Sequence, residues 1–169
     1  MVKIIVRSTE GSNAAVEVFE DERLIIKCDA FIGRNGLGKT REGDGKTPVG
    51  DFRILTCFGI KPNPGTSLPY IRIDGNIWCC GDNECYNKII DIRDHPHKCS
   101  GEHMSDYIPE YNYGMFLDYN KECIPGAGSA IFFHCKGKKD YTGGCIAVDE
   151  EKIISILKVA NQDTVISIQ

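Results

Sequence analysis

Apolar and polar residues alternate from the start of the chain. Residues 2–6, 14–19 and 24–27 are short β-branched runs separated by Gly11-Ser12-Asn13 and Glu20-Asp21-Glu22, the pattern of a β-meander. Six glycines between Gly33 and Gly50 mark a long loop, and Phe52-Arg53-Ile54-Leu55 after it reads as one strand. Between residues 61 and 69 three prolines and one glycine exclude a helix, and Tyr70-Ile71-Arg72-Ile73 alternates like a half-buried strand. Residues 81–111 show weak periodicity and predict irregular structure with one short helix. Strands are expected at 113–119 and 129–135; the second contains Ala130-Ile131-Phe132-Phe133, apolar on both faces, which predicts a central strand. Asp149 is placed to cap a helix, Glu150 and Glu151 suit its positive end, and Ile153, Ile156, Leu157 and Ala160 share one face. Residues 164–168 close the chain as a strand, and the fold class predicted is mainly β with one helix.

Composition narrows the picture. A chain of 169 residues, 41% hydrophobic, supplies one core, so a single domain over 1–169 and a monomer are expected. Lys plus Arg total 20 against 24 for Asp plus Glu, and the signs are intermixed, so no nucleic-acid partner is expected. The Lys136, Lys138, Lys139 cluster is short, is flanked by Asp140 and reads as a solvated turn. No apolar run approaches the ~20 residues of a membrane-spanning helix. Arg7 and Glu10 interrupt the N-terminal apolar run, so no export signal is visible. Nine cysteines leave at least one unpaired in a monomer, and both free thiols and disulfides remain open for the others.

Candidate chemistry sits in one unit. His134 ends the apolar strand, and Cys145 follows eleven positions later behind Thr142-Gly143-Gly144. An adjacent imidazole lowers a thiol pKa by forming an ion pair, and that activates the sulfur as a nucleophile. The paired glycines allow close backbone approach, and N–H groups around such a turn suit a developing oxyanion.

His134 and Thr142-Gly143-Gly144-Cys145-Ile146-Ala147 resemble the active-site signature of the L,D-transpeptidase catalytic domain, also called the YkuD domain. Residues 43–52, Gly-Asp-Gly-Lys-Thr-Pro-Val-Gly-Asp-Phe, resemble a second stretch of that family, and Tyr86-Asn87, Glu102-His103-Met104 and residues 128–134 agree with it. The resemblance runs from about Phe31 to Leu157, leaving the meander and the last strand outside. It implies two packed mixed sheets in a β-sandwich-like arrangement, with the helix after the cysteine. It also implies transfer of an acyl group from a peptidoglycan stem peptide through a Cys145 thioester, with His134 as base and then acid, no cofactor, and work at the cell wall. Without a visible export signal a cytoplasmic location stays open. A carbonyl at Gly143 or Gly144 is expected to orient the imidazole, and His103, Tyr86, Asn87 and Thr142 are expected to contact substrate. Carbapenems acylate the cysteine of this family. Many members carry Arg where Ala147 stands, and Arg93 or Lys136 is the expected substitute. Many also carry Ser or His at the position of Gly143.

Two other readings stay open: a hydrolytic carboxypeptidase or amidase with the same nucleophile, and a non-catalytic wall-binding or metal-binding module. Asp94-His95-Pro96-His97-Lys98-Cys99 and Cys79, Cys80 and Cys85 hold zinc-type ligands, but no Cys-x-x-Cys pair occurs and adjacent cysteines on a strand face opposite ways. The expectation there is a polar loop with thiols and no metal.

Overall fold

The computed structural model describes all 169 residues and contains two sheets. The meander is present as β1 (Val2–Ser8), β2 (Asn13–Glu20) and β3 (Arg23–Phe31), with Val2, Ile4, Val6, Ala14, Val16 and Val18 all buried. Their period of two sends every second side chain into the core. The closing strand, β13 (Val165–Ile168), pairs in parallel with β1.

The glycine-rich loop leads into two short strands where the sequence predicts one. β4 (Gly50–Phe52) pairs with β13, whereas β5 (Ile54–Gly59) pairs with β10 (Gly114–Leu117) and with β6 (Tyr70–Arg72). The break is at Arg53, whose backbone N–H donates to Asp118 Oδ1 at 2.8 Å and whose guanidinium donates to the Asp163 carbonyl at 2.7 Å. Because β4 and β5 lie towards opposite ends of the ten-stranded order, the sheet curls round its core and is joined across the gap by this one residue.

Residues 81–111, expected to be irregular, contribute most of the second sheet. There β7 (Ile77–Cys80) lies between β8 (Lys88–Asp91) and β9 (Glu102–His103), and two single-turn 3-10 helices follow. Strands of two to four residues carry too few side chains to show a period, and tertiary pairing decides their conformation.

The central-strand expectation holds. β11 (Phe132–Cys135) lies between β10 and β12 (Ile146–Val148), antiparallel to the first and parallel to the second. Phe133 and Cys135 enter the main core, while Phe132 joins a smaller cluster with Phe58, Cys79, Met104, Tyr111 and Phe116, between the curled sheet and the small one. α1 (Glu150–Val159) buries Ile153, Ile156 and Leu157 in the main core, each side chain contributing about 1.5–3 kcal/mol. The Asp149 side chain makes no capping bond; its carbonyl accepts from Lys152 and Ile153, and its carboxylate lies 3.5 Å from Lys136 Nζ.

Candidate active site

His134 shares the Phe132 face of β11, with the Tyr111 ring edge-on at 5.4 Å. The parallel register sets Phe133 beside Ile146 and His134 beside Ala147, so Cys145, at the entrance to β12, falls next to Phe132. Cys145 packs against the same small cluster. Both residues line one open cleft of about 670 Å³, together with Gly143 and Gly144.

The thiol is held by backbone. Cys145 Sγ donates to the Ala130 carbonyl at 3.1 Å and accepts the Phe132 N–H at 3.3 Å. It makes no hydrogen bond to His134. Burial, reinforced by the nearby Glu102 carboxyl, pushes the Cys145 pKa up to about 12, and burial lowers the His134 pKa below its ordinary value. The resting pair is therefore a neutral thiol and a neutral imidazole, not the ion pair expected from proximity alone. An apolar floor of Phe132, Tyr111 and Ile131 gives little stabilisation to either charge.

The carbonyl that orients the imidazole belongs to Cys135, at 2.7 Å from His134 Nδ1, and not to Gly143 or Gly144. A carbonyl only accepts, so Nδ1 carries the proton and Nε2 is left as the basic nitrogen.

The two glycines differ. At Gly144, φ is +150° and an added Cβ would stand 2.8 Å from the Lys46 carbonyl, so the position excludes side chains. At Gly143 an added Cβ meets nothing within 4 Å, which accounts for larger residues at that position in the family. The backbone N–H groups of Gly143 and Cys145 have no partner within the chain. The Thr142 hydroxyl donates to the Cys145 carbonyl at 2.6 Å and accepts the Gly144 N–H at 3.1 Å. Both bonds shape this turn, and Thr142 also lines the cleft.

Three expected substrate contacts lie elsewhere. His103 stacks on Trp78 at 4.6 Å outside the cleft, with Nε2 at 2.8 Å from the Gly75 carbonyl and Nδ1 at 3.0 Å from Asp106. Tyr86 is buried; its hydroxyl donates to Glu42 and accepts the Gly128 N–H at 3.0 Å. Asn87 is also buried, and its amide ties Tyr119 and Asn120 to Ala130. Nor do the expected substitutes for a missing Arg reach the site. Arg93 pairs with Asp91 and Asp74, and Lys136 lies over the Phe31 ring. The cations that do line the cleft are Arg34, Lys39 and Lys139, of which Lys39 is buried against Asp44.

Glu102, Tyr107, Tyr111, Glu42 and Glu110 also line the cleft, and sequence reasoning gave none of them a chemical role. Glu102 accepts a hydrogen bond from Tyr111, and burial raises its pKa. Glu102 directly precedes His103, so the right segment was visible, but in β9 neighbouring side chains face opposite ways and the glutamate is the one turned inward.

These features define a mainly β domain whose cleft is lined by both a cysteine and a histidine oriented by a backbone carbonyl. The chain belongs to the YkuD family, the L,D-transpeptidase catalytic domain, whose model matches residues 2–168. The match takes in the meander and the last strand as well as the segment from Phe31 to Leu157. A search of curated proteins returns no match. Among solved structures, the chain is similar to the helical cell shape determining protein Pgp2 (K307A mutant) from Campylobacter jejuni, with a TM-score of 0.51 and 17% identity, over 99% of this chain and 46% of that one. The chain spans less than half the length of that protein, and the likeness speaks for the fold. No helix is long and apolar enough to cross a membrane.

Proposed function

We propose that the protein is a cysteine acyltransferase acting on peptidoglycan stem peptides at the cell wall, with Cys145 as nucleophile and His134 as proton carrier. The observation that carries this reading is the Cys135 carbonyl on His134 Nδ1, which leaves Nε2 as the basic nitrogen of a histidine that lines the same cleft as Cys145.

The Cys145 side chain turns away from the Ala130 carbonyl, a rotation on the fast timescale of side-chain motion. Sγ attacks the carbonyl carbon of the scissile amide as its proton passes to His134 Nε2, and the free N–H groups of Gly143 and Cys145 receive the oxyanion. The C–N bond then breaks, the leaving amine takes the proton from Nε2, and a thioester remains. An acceptor amine attacks the thioester and gives its proton to Nε2, the C–S bond breaks, and Nε2 passes that proton to the departing sulfur, leaving a new amide and the free thiol.

Arg34 and Lys139 at the cleft wall suit the carboxylates of a stem peptide, and Glu42 and Glu110 suit its ammonium group. The test is turnover of a tetrapeptide stem with and without an amine acceptor. An exchanged or cross-linked product, reduced by more than about 10³-fold in Cys145→Ala, supports transfer. Free acid alone assigns the hydrolytic reading, and full turnover by Cys145→Ala rejects the nucleophile.

A further inference from the structure

Cys79 and Cys80 are adjacent on β7 but point to opposite sides. Cys79 enters the small apolar cluster, while Cys80 faces a different group of side chains. Asp82 follows on the next turn, and His97 and Cys99 arrive on the segment between β8 and β9. One potential ligand atom from each of Cys80, Asp82, His97 and Cys99 lies within 4.8 Å of all the others. The residues span 20 positions without a Cys-x-x-Cys pair, which is why spacing alone did not reveal them.

We propose that these four residues form a structural zinc site that pins residues 96–101 to β7. In tetrahedral zinc, with Zn–S about 2.3 Å and Zn–N or Zn–O about 2.0–2.1 Å, ligand atoms stand about 3.3–3.8 Å apart. Cys80 Sγ lies 3.5 Å from His97 Nε2 and 3.8 Å from Asp82 Oδ2. His97 Nε2 lies 2.9 Å from Asp82 Oδ2, a contact that an ion between them would open by a few tenths of an ångström.

The surroundings match a ligand shell. His97 presents Nε2 to the group, and its Nδ1 lies 3.9 Å from the exposed Glu84 carboxylate, beyond hydrogen-bond reach. Asp82 is fixed by the hydroxyl and backbone N–H of Ser100.

A second, independent observation is that residues 96–101 take part in no backbone–backbone hydrogen bond. The converging side chains are what tie this segment to β7. Binding would release one proton from each of the two thiols and replace them with Zn–S bonds. Gly81, Ser100, Gly101 and Glu102 line the cleft on the other side, so the ion would also brace that wall.

The experiment is elemental analysis of the untagged full chain purified under reducing conditions without chelator, followed by Co²⁺ replacement. One zinc per chain is expected. Co²⁺ should give the visible bands of tetrahedral coordination with thiolate charge transfer. Cys99→Ser and His97→Ala should each weaken zinc binding by more than about tenfold, while Cys28→Ser and Cys123→Ser keep it. The proposal is overturned if the wild-type chain holds no more zinc than a Cys80→Ser/Cys99→Ser double variant, if bound Co²⁺ is octahedral, or if Cys80 and Cys99 are recovered as a disulfide under those conditions. The wild-type measurements stand whether or not the variants fold.

Discussion

Asn87 reaches Ala130. Its Oδ1 accepts the Ala130 N–H at 3.0 Å, and the carbonyl of the same Ala130 receives the Cys145 thiol at 3.1 Å. Ala130 has φ +54°, a left-handed conformation that costs energy for a residue with a Cβ, and the Asn87 amide is what holds it. Asn87 itself has φ +59°, which asparagine tolerates better than most side chains.

Asn87→Gly keeps the backbone freedom and deletes three partly buried hydrogen bonds. Removing their partner should lower stability by about 1–3 kcal/mol, read as a lower urea midpoint. Because the change reaches the thiol through Ala130, which also lines the cleft, kcat should fall by a larger factor than KM rises. A reduced kcat alone would not separate site from fold, so the two readings are made on the same sample.

The glycine pair gives a sharper contrast. Gly144→Ala pushes a Cβ into the Lys46 carbonyl at a φ that disfavours it, and should cut turnover and stability together. Gly143→Ala enters open space and should leave both near wild type. Equal losses in the two variants, measured by kinetics and denaturation, would mean that the turn is not held as described.

Much of this was legible because it is periodic or punctuated. Val2, Ile4 and Val6 announce a strand, Ile153, Ile156 and Leu157 a helix, and the Gly-Gly-Cys turn after a doubly apolar strand marks the proposed nucleophile. Other features depend on which way a side chain turns. Nothing local says that His103 faces away while Glu102 faces in, or that Cys79 and Cys80 serve different clusters. The split at Arg53 is set by Asp118 and Asp163, which are remote in sequence. The thiol pKa, expected low from the neighbouring imidazole, is high because the same apolar residues that build the strand also desolvate the sulfur.

That electrostatic state has a pH signature. Burial holds the His134 pKa below 6.5, so kcat/KM should lose its base along an acid limb whose midpoint lies under 6.5. The unfolded chain binds this proton more readily than the folded one, so the stability contribution of His134 is complete above 6.5 and is lost as pH falls from 6.5 through the lower folded value. Cys145 works in the opposite direction. Its folded pKa of about 12 exceeds the ordinary 9.0, so its contribution is complete below 9.0 and lost as pH rises towards 12. Urea midpoints across pH for wild type and Cys145→Ala check the second sign, and an acid limb above 6.5 would contradict the first.

Glu102 offers a way to tune the nucleophile without touching it. Burial is the main reason that the Cys145 pKa is raised, and the Glu102 charge adds to it. Glu102→Gln keeps the shape and removes the charge, so alkylation of Cys145 by iodoacetamide at fixed pH should accelerate, by less than about tenfold, which corresponds to one pK unit. Peptide mapping of the alkylated chain reads this site by site; an unchanged or slower rate would place Glu102 too far from the sulfur to act on it.

The nucleophile itself is tested most directly by incubating the full chain with a carbapenem, then measuring intact mass and mapping the modified peptide. A single covalent acyl adduct on Cys145, absent in Cys145→Ala and formed far more slowly in His134→Ala, is the expected result. An adduct on any of the other eight cysteines, or no adduct at all, would contradict the assignment of Cys145.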